Sequence, residues 1–329
     1  PYVGGIVLLM CICAELLYLG RALTPRLTVA LLALCLLIVH TRNNGIYLCL
    51  PLLVALAAAL GRRYLGKLAG VTAVMLAVYA FTQGPLMEAV HCNGNETQEM
   101  LSVPFQQTAR YVKQYPDEVT EEEQEAIEDV LIYDTLADRY EPYMSDAVKM
   151  QYRLRFADDD TGHERELLQI YFKTWAAQFQ KHPLVYLEAT ANNIYGFIAP
   201  ISYRVMGPVE LNIDVDPALE HSVVDYTQPQ ALAPVRTLYC KLSTFVGKMP
   251  FFSLLYSPFV TTWIVCVGAV LLLRKKCWRA MVLYLPMLLN VAVCLLSPVN
   301  ASTRYMLCAT ACLPLLLAVL QNEPDSHKT

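Results

Sequence analysis

The hydrophobic positions of this chain gather in seven long apolar runs. A membrane hydrocarbon core is about 30 Å thick, and a helix needs about 20 apolar residues to cross it. The seven runs approach that length, although the second and third are short. The pattern therefore predicts a mainly α, polytopic membrane protein with about seven transmembrane helices. The predicted spans are residues 2–20, 26–41, 46–61, 65–83, 252–273, 278–296 and 304–321.

Most of the acidic residues lie between the fourth and fifth runs. This predicts four parts: residues 1–83 with four membrane helices, a soluble domain at 84–250, residues 251–321 with three more helices, and a tail at 322–329. The soluble domain is expected to be mostly helical. Helices are predicted from the capping box Thr120–Glu123 to about Ile132, from His163 to Lys181, and from Leu184 to Ile198 after the break at Pro183. Residues 209–215 are the best strand candidate.

The basic residues of the short loops define an orientation. Loops on the cytoplasmic side of a membrane are enriched in Lys and Arg. When the seven spans alternate, three basic loops fall on one side and residues 84–250 fall on the other. We therefore expect a multi-pass protein of the cell membrane, with residues 84–250 outside the cytoplasm. The three loops contain Arg21 and Arg26, then Arg62, Arg63 and Lys67, and then Arg274, Lys275, Lys276 and Arg279.

The composition agrees with a membrane protein and argues against a nucleic-acid-binding protein. Hydrophobic residues make up 56% of the chain and charged residues 16%, against about 25% charged in soluble domains. A formal net charge of −4 argues against nucleic acid as a partner, since that would need a basic surface. The chain begins at Pro1 within an apolar run, so we expect that earlier helices precede this sequence.

Two arginines break the charge rule, because Arg42 and Arg304 lie at the external ends of predicted spans. An arginine at membrane depth is costly without a partner. Two interpretations stay open: the side chains extend to lipid headgroups, or they bind a phosphate or pyrophosphate, which the forked guanidinium fits well. Asn43 follows Arg42 and is a further candidate for the phosphate site.

The soluble domain contains a second set of candidates. Gln107 and Arg110 lie on nearby faces of a predicted helix, which is either an ordinary solvated helix or part of a binding surface. Asp146 and Lys149 are three residues apart, so they form either an ordinary helical ion pair or part of a site. The acidic run at residues 158–160 is either a cation site or a solvated loop. Asn95 and Asn300 each begin a glycosylation acceptor pattern, which is common by chance.

Six sequence segments resemble an uncharacterised family of bacterial membrane proteins, which in turn looks like a branch of the GT-C glycosyltransferases. The resemblance covers about residues 40 to 310. The segments are R-N-N-G-I-Y at 42–47, P-F-Q-Q-T-A-R at 104–110, Y-x-P-Y-x-S-D-A-V-K at 140–149, F-K-T-W…K-H-P-L-V-Y at 172–186, N-N-I-Y-G-F-I-A-P at 192–200 and R-Y-M at 304–306.

The resemblance implies an inverting sugar transfer at the external face, from a polyprenyl-phosphate or polyprenyl-pyrophosphate carrier to a cell-envelope glycan or protein. A carboxylate would deprotonate the acceptor hydroxyl. Arginines, with or without a divalent cation, would stabilise the departing phosphate. Arg42 and Arg304 are the best candidates for the phosphate, with Asp146 in a base or polar role. In GT-C enzymes an acidic residue usually lies in the first external loop, which we expect to precede residue 1.

Other functions fit the same pattern. A polysaccharide polymerase or ligase would also have many spans, a large external loop and external arginines. A transporter is disfavoured because charged residues are scarce inside the predicted spans, whereas transporters tend to show repeats and charged or broken helices at mid-membrane. A non-enzymatic assembly or sensor protein with an external domain is the remaining alternative.

Overall fold

The computed structural model describes residues 1–90, 97–153, 161–199, 230–249, 254, 257–296 and 299–323. The predicted mainly α class is confirmed: these residues form helices joined by short turns, and their only β pairing is isolated bridges. The helices are α1 Tyr2–Tyr18, α2 Pro25–Thr41, α3 Gly45–Leu60, α4 Arg62–Phe81, α5 Met87–Ala89, α6 Thr97–Met100, α7 Ser102–Gln114, α8 Glu121–Glu128, α9 Tyr133–Arg139, α10 Asp146–Lys149, α11 Thr161–Lys181, α12 Pro183–Ile194, α13 Ala233–Lys248, α14 Pro258–Arg274, α15 Trp278–Cys294 and α16 Thr303–Asn322.

Each predicted apolar run corresponds to one helix, namely α1 to α4 and α14 to α16. These seven helices share a single hydrophobic core, to which every one of them contributes buried side chains. Short caps and turns define their ends. Thr24 accepts a hydrogen bond from the backbone of Leu27 at 3.3 Å, and Pro25 occupies the first helical position, where its missing N–H costs nothing.

By length and composition, two helical stretches are able to cross a membrane. They are Arg62–Ala89, with 28 residues including a π-helical turn at Thr82–Leu86, and Thr303–Asn322, with 20. The other five apolar helices are 16 or 17 residues long. The fold is therefore helical with a limited indication of membrane association.

Apolar helices that are consecutive in the chain run in opposite directions, so their polar termini gather at two ends of the bundle. At one end Arg42 lies against the Tyr2 ring, and His40 Nε2 lies 2.9 Å from the Thr82 hydroxyl. At the other, which we call the basic end, Lys67 Nζ donates to the carbonyl of Leu23 at 2.6 Å. Arg21 pairs with Glu15 there, and Lys275 Nζ donates to the Glu323 carbonyl at 3.0 Å.

The segment between α6 and α12 has its own hydrophobic core, built around the buried Phe105 and Tyr171. The predicted capping box is confirmed, since Thr120 and Glu123 exchange hydrogen bonds at 3.2 Å. The helix ends at Glu128 and not near Ile132, because the backbone of residues 130–132 pairs instead with residues 151–153. A second helix, α9, begins at Tyr133 directly after this pairing and was not predicted.

The two longer predicted helices of this segment are present. The helix predicted from His163 begins at Thr161 and ends at Lys181 as expected. Pro183 begins the next one, which ends at Ile194 and is followed by a 3-10 turn, whereas the prediction extended it to Ile198. The predicted strand at 209–215, the acidic run at 158–160 and the acceptor pattern at Asn95 lie outside the described residues.

Candidate functional site

Arg42 and Arg304 meet at one aromatic ring, that of Tyr305. The Arg42 Cζ atom lies 4.6 Å from the ring centroid and the Arg304 Cζ atom 5.2 Å from it. Arg42 also lies 5.6 Å from the centroid of Tyr2, and Arg304 donates to the Tyr305 hydroxyl at 3.3 Å. Cation–π contacts of this kind hold a guanidinium in place without neutralising its charge. We call Tyr2, Arg42, Arg304 and Tyr305 the arginine rim.

The local sequence explains how two distant arginines come together. Arg42 directly follows the last turn of α2, and Arg304 lies in the first turn of α16. Gly45 lets α3 begin tightly against α2, since a Cβ atom there would lie 2.6 Å from the Ile38 carbonyl oxygen. The tight turn keeps Arg42 half-buried at the end of the bundle, with Asn43 exposed beside it.

The charge of the arginine rim is not balanced within the described part of the chain. None of the ion pairs there includes Arg42 or Arg304. Two positive groups near one ring repel each other, and a bound anion would reduce that cost. A phosphate suits the arrangement, because each guanidinium can donate two hydrogen bonds to its oxygens.

Gln107 and Arg110, in contrast, are occupied by neighbouring side chains. Gln107 donates to Thr190 at 2.9 Å and accepts from the Trp175 indole at 3.0 Å. Arg110 donates to the Tyr140 hydroxyl at 2.9 Å and forms an ion pair with Glu188. Burial lowers the pKa of the guanidinium, but these two partners outweigh it and raise the pKa overall. The side-chain contacts of Gln107 and Arg110 therefore hold α7 against α12.

Asp146 and Lys149 form the helical ion pair, with Nζ 2.7 Å from the carboxylate oxygen, and Glu99 adds a second carboxylate at 2.8 Å. The Lys149 side chain is only 9% exposed. Burial lowers the lysine pKa, and the hydrogen bonds to both carboxylates more than offset this and raise it. Lys149 is therefore a fully paired cation, while Asp146 keeps 44% of its side chain exposed.

A set of backbone contacts joins the helical segment to the arginine rim. The Asn300 N–H donates to the Tyr143 carbonyl at 3.0 Å, and Met144 forms an antiparallel bridge with Val299. The Gly196 N–H donates to the Asn300 Oδ1 atom at 2.8 Å. We call this contact region the junction. It fixes the loop that leads into α16, four residues before Arg304.

The junction also reaches into the bundle. Phe197, next to Gly196, is fully buried in the core that the seven apolar helices share. The Trp263 indole of α14 donates to the Ile198 carbonyl at 2.7 Å. The helical segment and the end of the bundle therefore form one packed structure around the start of α16.

The sequence indicated some of these residues and missed others. Arg42 and Arg304 were singled out because each lies at the predicted external end of an apolar run, where basic residues are not expected. Tyr2 and Tyr305 were not predicted as site residues, although Tyr305 lies in the segment 304–306 that carries the family resemblance. Asn300 was noted only as a glycosylation acceptor, whereas its side chain holds Gly196. The described residues contain no group of three side chains suited to bind a metal ion.

Five of the six segments that carry the family resemblance converge on this region. Segment 42–47 contributes Arg42, and segment 304–306 contributes Arg304 and Tyr305. Segments 140–149 and 192–200 supply the backbone partners of the junction. Segment 104–110 packs behind them, where Gln106 donates to the Glu141 carbonyl. The segments that looked diagnostic in the sequence thus form one connected region.

The comparisons with known proteins define the class of the chain. Residues 5–329 match the model of a family of unknown function, DUF6020, and the chain therefore belongs to that family. No curated protein and no solved structure matches the chain. A membership in the GT-C glycosyltransferases is not among these findings.

Proposed function

We propose that the seven apolar helices all span the cell membrane and that the segment between α4 and α14 lies outside the cytoplasm. The support is the arrangement of helix ends: Arg21, Lys67 and Lys275 meet at the basic end, and the arginine rim lies at the other. Helices of 16 or 17 residues measure about 25 Å at 1.5 Å per residue. Local thinning of the bilayer accommodates such a length at modest cost.

We further propose that the protein transfers a sugar from a polyprenyl-phosphate carrier, as GT-C glycosyltransferases do. The observation that carries this proposal is the arginine rim. Arg42 and Arg304 share the Tyr305 ring, and neither has a carboxylate partner among the described residues. A carrier phosphate lies at the same depth as the external end of the bundle, where these guanidiniums would bind it.

The proposed chemistry assigns one role to each group. The acceptor hydroxyl attacks the anomeric carbon of the donor sugar and loses its proton to a carboxylate, and the bond to the carrier phosphate breaks. Arg42 and Arg304 stabilise the negative charge that develops on the departing phosphate. Asp146 is the proposed base, since it is half-exposed and lies two residues from Met144 in the junction.

Gln107, Arg110 and Lys149 take a different place in this proposal. Their partners are internal side chains, so they position the helical segment rather than contact the carrier. Arg110 would hold α12, and with it the Gly196 turn, against α7. Lys149 would hold the Asp146 carboxylate in place through their ion pair.

A polysaccharide polymerase or ligase is the closest alternative, because it would also have a large external segment and would use the same two external arginines.

The function is tested in cells that carry the full-length protein in place of the native copy. Arg42→Ala and Arg304→Ala are expected to abolish the glycan modification that depends on the protein while both variants still insert in the membrane. Arg63→Ala is the matched control, since Arg63 also lies over a tyrosine ring, 5.3 Å from the Tyr64 centroid, but in the first turn of α4. Normal modification in both rim variants would refute the proposal.

A further inference from the structure

Helix α13 has an unusually complete separation of apolar and polar residues. At 100° per residue, its large apolar side chains fall within an arc of about 120°. Its other residues, including Arg236, Thr237, Lys241 and Thr244, occupy the remaining circumference. The apolar face consists of Val235, Leu238, Tyr239, Leu242 and Phe245.

This apolar face is not covered by the described part of the chain. Its five side chains are 54–61% exposed, Leu242 at 54% and Val235 at 61%. The main packing neighbour of α13 among the described residues is the adjoining turn Gln230–Leu232. Exposing a contiguous apolar stripe of this length to water is costly, so the helix needs an apolar partner.

The charge of the residues around α13 indicates what covers its apolar face. Residues 230–249 contain three basic residues, Arg236, Lys241 and Lys248, and no acidic residue. In the segment that precedes it, by contrast, acidic residues are abundant, as at Glu121–Glu123. A basic polar face opposite an aliphatic and aromatic face is typical of helices that lie in the headgroup region of an anionic bilayer.

The position of α13 in the chain supports the same partner. Lys248 is ten residues before Pro258, where the apolar helix α14 begins at its external end. A second copy of α13 would fit less well, because it would bring a second set of positive charges near the first, whereas anionic headgroups would balance them. Tyr239 and Phe245 add aromatic rings, which favour the boundary between headgroups and acyl chains.

We propose that α13 lies in the plane of the membrane surface, with the Val235–Phe245 face inserted among lipid acyl chains and its basic residues at anionic headgroups. This anchors the end of the external segment beside α14. The inference uses the face, the charge and the chain position of the helix, and it rests on the proposed membrane topology but not on the proposed sugar transfer.

Photo-cross-linking of the full chain tests this inference directly. The protein is reconstituted in vesicles of phosphatidylethanolamine and phosphatidylglycerol, with p-benzoylphenylalanine placed at position 238 or 245. Positions 237 and 244, on the opposite side of the same helix, are the matched controls. Irradiation is expected to give lipid adducts at 238 and 245, detected by mass spectrometry, and several-fold fewer at 237 and 244.

Two outcomes would overturn the inference. Cross-links from positions 238 and 245 to another part of the chain, or to a second copy, would show that protein covers the face. Equal lipid labelling at all four positions would show that the helix has no defined face toward the bilayer. Lys241→Glu tests the headgroup contact in the same vesicles, and it is expected to lower the lipid adducts at 245 several-fold, whereas in phosphatidylcholine vesicles it is expected to change them little.

Discussion

The backbone N–H of Gly196 donates a hydrogen bond to the Oδ1 atom of Asn300 at 2.8 Å, across 104 positions of the sequence. This contact ties the end of α12 to the loop that leads into α16. Arg304 lies in the first turn of that helix, so the position of the arginine rim depends on the docking of the helical segment. The junction therefore helps to position Arg304 in the proposed site.

A methyl group at position 196 is expected to disrupt this docking. A Cβ atom there would lie 2.6 Å from the Ala301 Cβ atom and 2.7 Å from Asn300 Oδ1, which is closer than side chains tolerate. Overpacking of a well-packed contact costs about 1–3 kcal/mol. Gly196→Ala should therefore lower the thermal unfolding midpoint of the purified protein in detergent.

Gly70→Ala is the control for this substitution, since a Cβ atom at Gly70 would meet nothing within 4 Å. Alanine favours a helix over glycine by about 1 kcal/mol, so this variant should be as stable as the native protein or more stable. An unchanged unfolding midpoint for Gly196→Ala would mean that Gly196 does not pack closely against Asn300 and Ala301.

Two buried tyrosines should respond in opposite ways to the loss of their hydroxyl groups. The Tyr111 hydroxyl is buried with no hydrogen-bond partner in the described part of the chain, whereas that of Tyr171 lies 2.7 Å from the Thr108 hydroxyl. An unsatisfied buried group costs about 1–3 kcal/mol, while a made hydrogen bond contributes about 1 kcal/mol. Tyr111→Phe should stabilise the protein and Tyr171→Phe should destabilise it, as measured by thermal unfolding at neutral pH.

The same tyrosine should govern stability at alkaline pH. Burial, with a further contribution from Glu123 and Glu118, raises the pKa of Tyr111 to about 12, against about 10 in an unfolded chain. Between these values the unfolded chain releases a proton that the folded protein keeps, so stability falls as pH rises above 10. Tyr111→Phe should flatten this fall by up to about 1.4 kcal/mol per pH unit. An identical alkaline slope in both proteins would contradict the assignment.

The role of Asp146 can be separated from its ion pair. Asp146 and Glu99 are both half-exposed carboxylates bound to Lys149, at 44% and 49% exposure. Removing either one should cost no more than about 1 kcal/mol, because the other remains. If Asp146 is the base, Asp146→Asn should abolish glycan modification, while Glu99→Gln should preserve it. Equal activity of the two variants would leave Asp146 with a structural role alone.

The proposed topology predicts the compartment of each fusion point. Alkaline phosphatase folds only where its disulfides form, outside the cytoplasm. The enzyme fused after Asp117 should therefore be active, and the enzyme fused after Lys276 should be inactive. The reverse pattern would place the arginine rim in the cytoplasm and remove the contact with an external carrier.

Much of this fold was predictable, because apolar runs and caps act over a few residues. The seven apolar helices and the Thr120 capping box follow from local patterns alone. The early end of α8 at Glu128 could not be predicted from local patterns. It depends on backbone pairing of residues 130–132 with residues 151–153, which are distant in sequence. Local propensity favoured a longer helix there, and tertiary contacts shortened it.

The candidate site was predictable in part, for the same reason. An arginine at the predicted external end of an apolar run departs from the expected charge distribution, so Arg42 and Arg304 were found. Their meeting at Tyr305 depends on how α2 and α16 pack, which no spacing in the sequence indicates. The ion pair of Arg110 with Glu188 could not be predicted from the sequence either, because the two residues are 78 positions apart.

Binding of a polyprenyl phosphate to the protein in nanodiscs tests the proposed role of the arginine rim most directly. Native mass spectrometry would compare the native protein with Arg42→Ala, Arg304→Ala and the control Arg63→Ala. Retained binding in the native and control proteins and a loss of roughly tenfold or more in each rim variant, the equivalent of one charge-assisted hydrogen bond, is the expected result. Binding that is equal in all four proteins would contradict the account.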